Sequence, residues 1–124
     1  MSNSESKEQR IIEQYQMEMR QSEKKLEEIE QRVREQEKRE EEIWEFRQKT
    51  LFFLNEEIVR QEVGNEVYEL ENLYDELSEQ FRNVEQECEE QHEMIKAEKE
   101  RLYEKEEDCR ENYYKQIKKL KEKL

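Results

Sequence analysis

Cys88 and His92 are the residues of this 124-residue chain best spaced for chemistry. Four positions apart on a helix, they would set a thiol and an imidazole on neighbouring turns, which is half of a zinc site. The other half is missing: the chain has one histidine, and its second cysteine, Cys109, lies 21 positions further on. Within one helix that is roughly 30 Å at 1.5 Å per residue, too far for the two thiols to bridge. We therefore expect no metal, no cofactor and two free thiols used as small apolar residues, which places the chain in a reducing compartment. An intermolecular disulfide is the alternative use of the pair. The many glutamates are expected on salt-bridged helix faces, Glu35 with Arg39 and Glu100 near Lys105, rather than as an acid and base in a dry cleft. With no Gly-rich phosphate loop and no elbow serine, the sequence predicts a protein that is not an enzyme.

The elements that would position these groups follow from what the chain lacks. It has no proline and a single glycine, Gly64, almost at its midpoint. Charged residues make up 48% and hydrophobic ones 31%, too little apolar surface to close a globular core. Yet Glu, Gln, Lys, Arg and Leu are strong helix formers. The balance predicts an all-α chain, a long antiparallel two-helix hairpin of coiled-coil type over residues 1–124. One arm covers about 5–62, the other about 66–122, with the turn at Gly64-Asn65. Gly64 would sit just past the first helix and Asn65 would cap the second. The competing topology is one unbroken rod, because glycine inside a helix costs only about 1 kcal/mol. A hairpin would be roughly 90 Å long and a rod about twice that.

Apolar residues step by three and four along both arms. The second reads Val67, Leu70, Tyr74, Leu77, Phe81, Val84, Cys88, and then, with polar residues at every second position, Gln91, Ile95, Glu98, Leu102, Lys105, Cys109 and Asn112. After Asn112 the stripe slips to Tyr113, Ile117, Leu120 and Leu124. The first arm reads Ile12, Tyr15, Met19, Ser22, Leu26, Ile29, Val33, Gln36, Glu40 and Ile43. There a slip is expected, the seam resuming as Trp44, Leu51, Leu54 and Ile58.

The segment from Ile43 to Val59 holds more apolar bulk than one seam can cover. At about 100° per residue, Trp44, Leu51, Leu54 and Ile58 gather on one side, with Phe52 at the flank, while Phe46 and Phe53 fall on the opposite side. Tyr68, across the turn, extends that outer patch, and Leu73 widens the seam of the second arm. Aromatics concentrate where interfaces carry their energy. These nine residues are therefore the expected contact set for a helical protein partner, the first arm being sandwiched between the second and a foreign helix.

Charge narrows the partner. The formal net charge is −13, and residues 66–108 hold 17 acids against 5 bases. Nucleic acid is not expected, nor is a small-molecule substrate. Lys115, Lys118, Lys119, Lys121 and Lys123 suit the negative end of a helix dipole; without a broad apolar face beside them, membrane binding is not expected. No run approaches the ~20 apolar residues of a membrane span, and Met1 to Ser6 do not resemble a signal peptide. The expected location is cytoplasmic, with any export following a partner by a route that needs no signal peptide.

The size, the central turn, the acidic charge and the pattern from Trp44-Glu45-Phe46 to Leu102-Tyr103-Glu104-Lys105-Glu106-Glu107-Asp108 resemble a known group. It is the small α-helical partner proteins of LXG-domain toxins, similar to the WXG superfamily of bacterial type VII secretion. The Trp-x-Gly turn of that superfamily is absent, since Glu62-Val63 precedes Gly64. The resemblance implies an adaptor or targeting chaperone. Such a protein binds the helical N-terminal domain of an LXG-type toxin, with or without a second small helical protein, and presents it for secretion. It also implies an export signal of an aromatic residue followed four positions later by an acid, which Tyr103 and Glu107 fit. So do Phe52 with Glu56, Phe53 with Glu57 and Phe81 with Glu85. The rival from another class is a self-associating structural or stalk coiled coil, similar to the hairpin proteins of flagellar and type III export.

Overall fold

The computed structural model describes residues 3–61 and 64–123, and it is an all-α hairpin. Helix α1 spans Asn3–Gln61 and helix α2 spans Asn65–Glu122, running antiparallel. Both are uninterrupted, as a stretch of good helix formers without proline should be. Their ends match the helix dipole: Glu5 and Glu66 stand in the first turns, Arg60 and Lys119 with Lys121 in the last.

Gly64 makes the reversal. Its φ of +136° lies where a side chain is strained, and its carbonyl accepts the Tyr68 N–H at 3.4 Å, opening the hydrogen-bond ladder of α2. The cap position of α2 therefore belongs to Gly64, and Asn65 is already the first helical residue. The expected Asn65 side-chain cap, the end of the first arm at Glu62, and Leu124 lie outside the described residues.

The chain divides into two compact units, a terminal unit of residues 1–32 with 95–124 and a turn unit of residues 33–94. Each is a pair of helical segments closed along one seam. In the terminal unit Ser22, Ile29, Ile95 and Leu102 are buried, and Ile12, Tyr15, Met19, Leu26, Cys109, Tyr113, Ile117 and Leu120 are half-buried. Tyr15 stacks on Tyr113 at 4.3 Å between ring centroids, and Arg32 donates to Glu98 at 2.7 Å. In the turn unit Gln36, Leu54 and Phe81 are buried. The Gln36 amide bonds the Cys88 carbonyl at 3.3 Å and the Glu40 carboxylate at 3.0 Å, so its burial is satisfied.

Two register expectations are corrected. Trp44 is exposed and stands outside the seam: the half-buried and buried positions of α1 continue as Ile43, Arg47, Thr50, Leu51, Leu54, Glu57 and Ile58, so of the expected Trp44, Leu51, Leu54 and Ile58 only Trp44 is misplaced. Arg47 holds its seam position because its charge pairs with Glu85 on α2. In α2 the departure comes earlier than Asn112. Gln91, Lys105 and Asn112 are exposed, and Glu106 and Tyr113 turn inward instead. A straight α-helix lags a seven-residue repeat by about 20° per heptad, so a weakly anchored seam drifts toward the following residue.

Candidate protein-docking surface

The turn unit combines a continuous seam with an excess of apolar residues outside it. Taking Ile43, Arg47, Thr50, Leu54 and Glu57 as core positions, Trp44, Leu51 and Ile58 form a seven-residue stripe on one flank of α1. Phe46 and Phe53 form a second stripe on the other. Phe52 and Val59 lie on the back. Trp44, Phe46, Phe52, Phe53, Val59 and Tyr68 are 58% to 69% exposed. A strict two-helix seam needs only its core positions apolar, and added apolar flanks are what helices of larger bundles carry.

The expected contact residues thus divide. Leu54 is 6% exposed and fills the hairpin's own seam, which removes it from any docking surface. Leu51 and Ile58 are half-buried at the seam's edge. Trp44, Phe52, Phe53, Tyr68 and Leu73 are exposed. Phe46 is exposed too, yet its ring meets Phe81 edge-on at 6.0 Å, so it flanks the seam rather than opposing it. Tyr103 and Glu107 are both exposed, one helical turn apart on α2.

Beside Trp44 the two helices of the turn unit leave an open groove of about 480 Å³. Ile43, Phe81, Val84 and Cys88 supply its apolar lining, Trp44 an aromatic one, and Glu37, Glu41, Glu85 and Glu89 are exposed around it. Sequence periodicity missed this groove, because it is created by the register between the helices and not by either stripe alone.

The groups with reactive potential are held quiet. His92 Nε2 donates to Glu40, 2.8 Å from Oε1 and 3.0 Å from Oε2. Burial works to raise the Glu40 carboxyl, but hydrogen bonds from His92 and Gln36 outweigh it and hold the group below its ordinary range. The Cys88 thiol is pushed up by burial and then by the Glu40 charge. Cys109 donates to Glu18 at 2.8 Å, and burial followed by that carboxylate pushes it up to about 11. A thiol nucleophile needs the opposite environment, one that favours the thiolate. Both cysteines are half-buried and free. Among the described residues no group of three His, Cys, Asp or Glu side chains is placed to hold a metal ion, and no helix is long and apolar enough to cross a membrane.

No family model matches this chain, and no curated protein or solved structure matches it either.

Proposed function

We propose that this chain is a non-catalytic helical adaptor that docks another helical protein on its turn unit. The partner we propose is the helical N-terminal domain of an LXG-type toxin, which the chain would help present to the type VII secretion machinery from the cytoplasm. The observation that carries the reading is the exposure of Trp44, Phe46, Phe52 and Phe53 within one short stretch of α1. Single exposed apolar residues need no explanation, but four large rings within ten positions, spread over both flanks and the back of α1, are more exposed apolar bulk than a two-helix unit needs. The choice of toxin rests on the sequence resemblance alone.

Co-expression tests it. A tagged copy of this chain should co-purify with an LXG-type helical domain, and changing Trp44, Phe46 and Phe53 together to Ser, which strips rings from both flanks of α1, should abolish capture while leaving helicity nearly intact. A pure protein that forms a stable homodimer and ignores the domain would favour the self-associating scaffold instead.

A further inference from the structure

We infer that the groove beside Trp44 takes a basic amphipathic helix, an assignment that rests on the adaptor reading and adds the chemistry of its partner. The first ground is charge. Residues 33–94 contain 20 acids and 7 bases, a net of −13, so the turn unit carries the whole net charge of the chain while the terminal unit is neutral. Two copies meeting groove to groove would oppose −13 with −13, which disfavours a second copy, and an anionic membrane or nucleic acid meets the same field. A partner helix bearing Lys and Arg meets complementary charge.

The second ground is shape. The groove runs between two helices and has an apolar lining, an open mouth and glutamates around it. Trp44, Leu51 and Ile58 extend its flank at seven-residue spacing, the repeat with which a third helix packs. An apolar side chain of that helix would enter the groove and meet Ile43, Phe81 and Val84. Cationic side chains one turn to either side would reach Glu37, Glu41 and Glu89. Arg47 and His92 do not oppose this, because each already faces a carboxylate, Glu85 and Glu40 respectively.

Trp44 is the chain's one tryptophan, so its emission reports on the groove directly. The probe is a synthetic peptide of about 18 residues with Leu at i, i+3, i+4 and i+7 of each turn pair and Lys elsewhere. Its counterpart carries Glu in place of Lys. The basic peptide should shift Trp44 emission to the blue with saturable, salt-sensitive binding, and the acidic one should not. Glu37→Gln, Glu41→Gln and Glu89→Gln together should weaken binding by about tenfold. Glu66→Gln, Glu69→Gln and Glu76→Gln together, equal in charge but away from the groove, should weaken it far less. Equal loss from both triples, or equal binding of both peptides, overturns the assignment. Failure of the peptide while the toxin domain still co-purifies removes the groove and leaves the adaptor; binding of the peptide without capture of the domain does the reverse.

Discussion

Tyr15 and Tyr113 stack with their planes 19° apart, and Tyr113 lies as many positions after Gly64 as Tyr15 lies before it. The same pairing rule, to within four positions, holds for Glu18 with Cys109, Arg32 with Glu98, Phe46 with Phe81 and Arg47 with Glu85. Within each unit, register is thus marked by cross-helix pairs: Tyr15–Tyr113, Glu18–Cys109 and Arg32–Glu98 in the terminal unit, Phe46–Phe81 and Arg47–Glu85 in the turn unit.

The tyrosine stack should be energetically coupled. Replacing Tyr15 and Tyr113 by Leu, singly and together, is expected to give a coupling energy of about 1 kcal/mol in urea denaturation. Additive single effects would show that the rings merely lie side by side.

Gly64 should tolerate size but not a β-carbon's torsional demand. Nothing lies within 4 Å of where a Cβ would be built, so the cost of Gly64→Ala comes from its φ of +136°. We expect a loss of about 1–3 kcal/mol, read from denaturation midpoints.

Cys109 should alkylate slowly. Its folded pKa of about 11 lies above that of an ordinary thiol, so the folded chain holds the proton more tightly than the unfolded one. Stability from this group is complete below the ordinary thiol range and is lost as pH rises toward 11. The alkylation rate of Cys109, followed by peptide mapping against pH, should have its midpoint near the same value. Glu18→Gln removes the accepting carboxylate and should move that midpoint down.

Salt should stabilise the turn unit. Its net −13 is self-repulsive, and that repulsion is screened over about 10 Å at 0.1 M salt. Hydrogen exchange of turn-unit amides should slow as sodium chloride rises from low concentration. Faster exchange would mean that pairs such as Arg47 with Glu85 outweigh the repulsion.

The hairpin was legible because its signals are local: one glycine, no proline, and stripes that step by three and four. The seam of α1 up to Ile43 and that of α2 from Val67 to Cys88 were legible for the same reason. What periodicity misplaced is Trp44. A stripe assembled from the most apolar residues prefers Trp44 to Arg47, but register with α2 favours Arg47, whose partner Glu85 lies on the other helix. Lys105 and Asn112 were misplaced by drift of a helix whose seam has few anchors there. The ring-rich stretch of α1 could be picked out from sequence, whereas the groove could not, since its lining comes from residues 37–47 and 81–92 brought together by the fold.

Collisional quenching of Trp44 tests the central claim most directly. In the free protein the indole, 58% exposed, should be quenched readily, and it should become shielded when the chain is co-purified with a helical toxin domain. An indole already shielded in the free protein, or equally accessible in the complex, would contradict a turn unit whose rings await another helix.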